Sequence, residues 1–509
     1  MTSPVTSLIS APKPLKFAGR AAAETHWRLA IPFAIFAATA CLLWILFGHR
    51  LILGTNDEGI YLDTAERILH GRKVYVDFFG YLSPGSFWIQ ALAFRIFGLT
   101  LAAGRVPVIF DLSLESALIY WLVERYASRA CAVLTAALFL AFAIADPTMI
   151  TAQHRWDSGA LALASISICV ASRKKWLMAA GFLMACAALA TPPVALVALV
   201  TLVWLRARAG WYLMGASIAA SMAALALWLD GIFPAFLQQM QWLSRNYSAV
   251  NVMHYGSIIG GYGALFEGAS MWELPIRWCV VFCVALPAVL PVLAIAGGLR
   301  SVKPYLLLSM LALVVSTYPR SDVAHLEYIA ALPYVLAGIV IYRLAPGRSR
   351  AWIAIFFGVW AVLFASQAQV GGSRWMETPV GEVRASVPEA PAVAELLARV
   401  RPHQTLFVYP YKPMFYFLTQ AGNPTRYSYL QPGLMATEDI ALTLSELKAR
   451  PPDWVLYLDL SQAEFERVFP SGRNFAAHFP ELENWIKANY RPSGTQPLGG
   501  YVLLCRRSG

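Results

Sequence analysis

Apolar stretches long enough for helices recur along the chain at about 29 to 48, 101 to 122, 130 to 147, 158 to 171, 176 to 190, 192 to 205, 211 to 229, 274 to 298, 304 to 317, 326 to 343 and 351 to 369. A hydrocarbon core about 30 Å thick takes roughly 20 apolar helical residues, so the pattern predicts about eleven transmembrane helices. The two members flanking Thr191-Pro192-Pro193 are short for a span. Of the 509 residues 58% are hydrophobic and 14% charged, and mean hydropathy is +0.55. An ordinary soluble globule is excluded, and the fold class expected is a polytopic α-helical membrane protein.

The net charge of +11 does not indicate nucleic acid. Its basic residues sit between apolar stretches: Arg125 and Arg129; Arg173, Lys174 and Lys175; Arg206 and Arg208; Arg300 and Lys303; Arg343, Arg348 and Arg350. With the N-terminus in the cytoplasm, every one of these loops is cytoplasmic, as positive-inside retention requires. Lys13, Lys16, Arg20 and Arg28 precede the first apolar run, which lacks a convincing cleavage site and reads as a signal anchor. Six cysteines, Cys41, Cys131, Cys169, Cys186, Cys279 and Cys283, lie in apolar stretches and leave Cys505 alone, so no disulfide framework or zinc motif is built.

The opposite face then collects the 49 to 100 loop, the 146 to 157 connection, the 230 to 273 loop, the 318 to 327 connection and everything after about 371. Three units are expected: 1–28 as a cytoplasmic segment, 29–370 as the transmembrane unit and 371–509 as an extracytoplasmic α/β domain. In the last, TLFVYP, DWVLYLDL and YVLLCRR have strand character, and AVAELLARV, EDIALTLSELKA and ELENWIKA helical character. It carries no phosphate-cradling glycine loop, nucleophile elbow or metal motif, and reads as a scaffold or acceptor-guiding lid.

The acids Asp57 and Glu58 follow the first apolar run. Ile60, Tyr61, Ala65, Ile68 and Leu69 then alternate at helical spacing with Asp63, Glu66, Arg67 and Arg72. This predicts an amphipathic helix lying on the membrane surface, with its acids at headgroup level. The ordered set DEGIYL, ILHGRKVYVDFF, SPGSFWIQALAFRIFG and Arg105 resembles the first extracytoplasmic loop of the GT-C membrane glycosyltransferases, the class of protein O-mannosyltransferases and the aminoarabinose transferase of lipid A. PYKPMFYFLTQAGNPTRYSYL resembles the segment after the last membrane helix in bacterial members.

That resemblance implies an integral-membrane enzyme moving a hexosyl or pentosyl group from a polyprenyl-phosphate donor to a lipid, glycan or protein acceptor, at the outer face of a bacterial cytoplasmic membrane. Asp57 is then the general base, with inversion at the anomeric carbon. Glu58 and Asp157 are further catalytic candidates, although Glu58 also suits a helix N-terminus. Arg320 and His325, in YPRSDVAH, are expected to hold the donor phosphate, with Arg72 and Lys73 as additional cations. His154, Tyr61 and Asp322 are substrate-binding candidates. No metal or cofactor is assigned, and a divalent cation held by His154, Asp157 and Asp57 stays open as an alternative.

His154, Arg155 and Asp157 also fit an interfacial anchor built on Arg155 and Trp156. The 237 to 268 stretch, rich in aromatics, amides and glycines, suits either a cover over a sugar site or a plain flexible loop. From another class, a transporter or lipid flippase predicts ionisable residues near mid-membrane and inverted repeats, and the sequence shows neither to inspection. A non-catalytic, glycan-binding relative would lack lipid-donor binding.

Overall fold

A computed structural model describes residues 23–54, 57–171, 174–299, 302–366 and 372–507. Most of the expected N-terminal segment, including Lys13, Lys16 and Arg20, and also Arg173 and Arg300 lie outside the described residues. The helices run α1 (Ala23–Phe47), α2 (Asp57–Leu69), α3 (Gly85–Phe97), α4 (Leu101–Tyr126), α5 (Arg129–Ala145), α6 (His154–Ala171), α7 (Leu177–Ala190), α8 (Leu196–Leu205), α9 (Ala209–Leu229) and α10 (Phe233–Asn251). They continue with α11 (Leu274–Val284), α12 (Leu286–Gly298), α13 (Pro304–Ser316), α14 (Val323–Glu327), α15 (Ala331–Leu344) and α16 (Gly347–Ser366).

Each of the eleven apolar stretches is helical among its described residues, but several are interrupted. By length and composition, Leu29–Phe47, Leu101–Tyr126 and Pro192–Leu229 can cross a bilayer among the described residues, and α11 with α12 makes a fourth candidate bent by 69°. Helices α5, α13 and α15 are apolar but shorter. Proline accounts for several of the breaks, because it lacks the N–H that would continue the ladder: Pro192 and Pro193 open the turn before α8, and Pro287 follows the bend at Ala285. Helices α7 and α9 pack backbone to backbone. A Cβ on Gly181 would meet the Tyr212 carbonyl oxygen, and one on Gly215 would meet that of Met178. Farther along, Ala185 and Leu189 share a groove with Ala219 and Leu227. The two helices therefore run parallel, and the chain returns between them through α8.

The C-terminal unit starts with a hairpin, β1 (Ser373–Thr378) and β2 (Gly381–Ser386), absent from the sequence-based expectation. It grips the membrane unit: Arg384 N–H donates to the His49 carbonyl at 2.7 Å, the Arg384 guanidinium donates to the Leu46 carbonyl, and Leu101 N–H donates to the Val380 carbonyl at 3.2 Å. After α17 (Ala390–Arg399) come β3 (Leu406–Tyr409), α18 (Met414–Thr419), α19 (Thr437–Ala449), β4 (Trp454–Tyr457), α20 (Gln462–Val468), α21 (Pro480–Asn489), β5 (Tyr490–Pro492) and β6 (Val502–Arg506). The sheet order is β3-β4-β6-β5, with β3 and β4 parallel and the other pairs antiparallel.

The α2 helix differs from its expectation. Its polar face is covered as well as its apolar one: Asp63 and Arg67 are buried and ion-paired at 3.0 Å. The cause is α18, which lies so close that a Cβ on Gly59 would fall 2.0 Å from the Met414 backbone nitrogen. Thus α2 is a wedge between the two units, with α3 on another side, rather than a raft on lipid.

Candidate active site

The first turn of α2 is fixed by Glu58. This side chain has no exposed surface and takes a bidentate grip from Arg105 of α4, with Nε to Oε1 at 2.7 Å and Nη2 to Oε2 at 2.8 Å. Arg105 spends its other donors on the carbonyls of Arg50, at 3.0 Å, and Ile150. A fully buried ion pair that also holds two backbone carbonyls is a structural lock, and its burial closes it off from substrate.

That lock aims Asp57 the other way. Gln153 Nε2 donates to Asp57 Oδ2 at 2.9 Å, and Tyr61 Oη donates to Gln153 Oε1 at 2.7 Å. Tyr61 in turn stacks on the His154 ring at 6.1 Å, and His154 Nδ1 lies 2.7 Å from the Thr191 hydroxyl. Tyr61 and His154 therefore stand behind the acid and brace it. Gln153, which presents an amide to Asp57, was absent from the sequence-based candidates although it lies in the same TAQHRWDSG stretch.

Arg155 and Trp156 do not form an interfacial anchor. Trp156 is fully buried with its indole N–H on the Met149 carbonyl, and Arg155 is 6% exposed. No described residue hydrogen-bonds or ion-pairs the Arg155 guanidinium, which lies within the electrostatic reach of Tyr61, Tyr247, Asp322 and Tyr328. A buried, unmatched guanidinium is costly unless an anion comes to it.

Across from Asp57 lies the YPRSD segment. The chain from Met253 to Ser257 zips onto it, with Met253 N–H donating to the Pro319 carbonyl at 2.9 Å and Val323 N–H to the Ser257 carbonyl at 2.8 Å. Asp322 caps α14 and sits between Arg320 and His325, 3.3 Å from Arg320 Nε and 2.8 Å from His325 Nδ1. Despite burial, His325 and Arg320 hold the Asp322 carboxyl well below the usual carboxylate range. Burial pushes the His325 imidazolium down, and Arg155 and Arg320 add to this against the pull of Asp322. Arg320 is 11% exposed at its side chain and keeps donors to spare. Tyr247 of α10 joins the two sides: it stands in the field of Arg320, Arg155, Asp57 and Asp322 together.

Other candidates are placed elsewhere. Asp157 is buried in the helix bundle, close to Asp111 and Ser86. His154, Asp157 and Asp57 do not bring ligand atoms together, and the one such trio among the described residues is Asp459, His478 and Glu483 in the C-terminal unit. Arg72 and Lys73 are exposed at the rim. Lys73 Nζ donates to the Asp230 carbonyl at 2.8 Å and Arg72 to the Asp77 carbonyl at 3.3 Å, so both tie loops together. Sequence inspection also passed over Asp111 and Glu115, buried on α4, and Glu327, buried at the end of α14. Both Glu115 oxygens and Glu327 Oε1 are without a hydrogen-bond partner.

No protein-family model and no curated protein sequence matches the chain. Among solved structures, ArnT from Cupriavidus metallidurans bound to undecaprenyl phosphate is similar over 96% of this chain and 99% of that one, at 14% identity and a TM-score of 0.56. Its apo form gives 15% identity and 0.54 over 95% and 98%. An Archaeoglobus fulgidus oligosaccharyltransferase is similar over 83% of this chain and 67% of that one, at 12% identity and a TM-score of 0.45. The likeness to ArnT extends over nearly the whole of both chains, and the chain has the fold of the GT-C membrane glycosyltransferases.

Proposed function

We propose that the chain is a membrane glycosyltransferase that moves a sugar from a polyprenyl-phosphate donor to an acceptor at the outer face of the cytoplasmic membrane. The observation that carries this is the meeting of one base-like acid, Asp57, with two guanidinium groups, Arg155 and Arg320, around Tyr247. In the reaction Asp57 takes the acceptor hydroxyl proton as that oxygen attacks the anomeric carbon. The bond from that carbon to the phosphate oxygen breaks, and its electron pair stays on the phosphate. The phosphate goes from one negative charge to two, and Arg155 and Arg320 meet the added charge. His325 orients Asp322, which in turn holds Arg320. Inversion follows because Glu58 is locked on Arg105 and Asp157 is buried in the bundle beside Asp111, so neither acts as a nucleophile.

The polyprenyl tail has a path. A cavity of about 430 Å³ touches Asp322 and Glu327, and a second of about 540 Å³ runs between α5, α12, α15 and α16 to Ser128 and Arg350. Phe142 lines both, and their walls are largely apolar. We extend the reading to topology: the shorter apolar helices cross as tilted or broken spans, giving about eleven crossings. The parallel α7 and α9, with α8 returning between them, support this count. Residues 1–28 are then cytoplasmic and the C-terminal unit periplasmic.

A transporter is the second reading, favoured by the buried carboxyls of Glu115 and Glu327, of which both Glu115 oxygens and Glu327 Oε1 find no hydrogen-bond partner among the described residues. Membranes carrying wild type or Asp57→Asn, given labelled polyprenyl-phosphate sugars, separate the two. The enzyme reading expects the variant to lose roughly 10²–10⁴-fold in transfer with donor binding kept. Unchanged transfer removes Asp57 from the mechanism, and lipid movement in liposomes without transfer from any donor supports the transporter.

A further inference from the structure

The geometry points to the C-terminal unit as a working part of the sugar site, with Tyr429 of that unit, Tyr81 and Tyr247 forming the wall against which the donor's glycosyl ring lies. This rests on the glycosyltransferase reading above and names which groups recognise the sugar.

In a polyprenyl-phosphate sugar the phosphate is bonded to the anomeric carbon. With the phosphate at Arg320 and the base facing that carbon, the ring must occupy the space between Arg320 and Asp57. Side chains that feel both charges therefore flank the ring. Tyr247 does so, and so does Tyr429. Tyr81, which feels Asp57, lies between them: its ring is 6.4 Å from that of Tyr247 at an interplanar angle of 17°, and 5.7 Å from that of Tyr429 at 26°. Three distant segments, the 72 to 84 loop, α10 and the C-terminal unit, thus build one aromatic column at the chamber.

The column is held in place from the C-terminal side. Tyr429 Oη lies 3.0 Å from Gln431 Oε1, and Gln431 Nε2 reaches Asn251 Oδ1 at the end of α10 at 3.3 Å. Ser471 Oγ accepts from Val252 N–H at 3.0 Å. Among the described residues nothing hydrogen-bonds the hydroxyls of Tyr81 or Tyr247, which leaves both for a ligand. Phenol hydroxyls and ring edges suit a hydroxyl-rich sugar. The chamber's two guanidinium groups both face the phosphate, so a sugar carboxylate finds no spare cation once the phosphate is bound.

Tyr411 supplies the control. Its ring packs on Tyr429 at 5.5 Å, but it lies one step outside the chamber and feels neither Asp57 nor Arg320. Purified wild type, Tyr429→Phe and Tyr411→Phe are compared for transfer from hexosyl, pentosyl and hexuronosyl polyprenyl phosphates, for binding of sugar-free polyprenyl phosphate, and for melting temperature. The expected result is a roughly three- to tenfold loss of kcat/KM for Tyr429→Phe, carried by donor KM, with an altered ranking of the donors. Sugar-free lipid binding stays at the wild-type value, melting temperature falls only slightly as Gln431 Oε1 loses its donor, Tyr411→Phe behaves as wild type, and the hexuronosyl donor is the poorest. Equal behaviour of the two variants, or a loss in Tyr429→Phe that appears equally with sugar-free lipid, overturns the assignment while wild-type transfer keeps the parent reading intact. Absence of wild-type transfer from every donor overturns both.

Discussion

Two arginines, Arg105 on α4 and Arg320 before α14, meet carboxylates in opposite ways. Arg105 and Glu58 are both fully buried, and Arg105 divides its donors between that carboxylate and two carbonyls. Arg320 shares Asp322 with His325, touches Met253 sulfur at 3.0 Å, and faces a chamber in which Arg155 has no partner among the described residues. A closed pair fixes geometry, whereas an under-satisfied pair of cations waits for an anion. Charge type alone, as read along the chain, does not tell these cases apart.

Breaking the closed pair is expected to cost the most. Arg105→Met strands a buried carboxylate, so chemical denaturation in detergent should show a loss of about 3–5 kcal/mol, with activity falling only as the folded fraction falls. If Arg105→Met folds normally but loses donor binding, the distinction between lock and ligand site fails.

The open side should respond with the opposite sign. Arg155→Met removes a buried cation that has no protein partner, so melting temperature should hold or rise. Binding of polyprenyl phosphate, measured by calorimetry, should weaken by roughly 2–5 kcal/mol because the phosphate loses a desolvated cation. A drop in both stability and binding would put Arg155 with Arg105 as a structural group.

This contrast also explains what could be read from the sequence. The apolar stretches, Asp57 and the YPRSD segment were legible because hydropathy and local order carry them. The parts that were not legible depend on contacts between distant segments. Glu58 is locked by a residue on the next long helix, Asp157 turns to Asp111 one helix away, and Tyr429 reaches the chamber from the far end of the chain. Local pattern suggested that Arg155 and Trp156 were a lipid anchor, because a basic-aromatic pair at a helix mouth looks the same whether it faces headgroups or a buried chamber. The α2 helix was read as lying on lipid for a related reason. Amphipathicity records that two faces differ, and it does not record that α18 covers the polar one.

Glu66 tests whether the contrast extends beyond the chamber. It lies on the covered face of α2, near Asp63, and the nearby Arg67 is already engaged by Asp63 at 3.0 Å. Burial first, and then Asp63, push the Glu66 carboxyl up to about 8, against a hydrogen bond from Gln420 that lowers it. The folded state therefore holds this proton more tightly than the unfolded chain does. The resulting stabilisation is fully present below the unfolded value of about 4.5 and is lost as pH rises towards 8. Glu66→Gln keeps a neutral side chain at every pH, so it should flatten this part of the curve. The fall in melting temperature between pH 5 and pH 8 should shrink by about 2–4 °C relative to wild type. Donor affinity should not change, because Glu66 faces α18 rather than the chamber. A change in donor affinity with no change in the melting curve would mean that buried, incompletely paired charge reports on the ligand site even outside the chamber, and the contrast would have to be redrawn around burial alone.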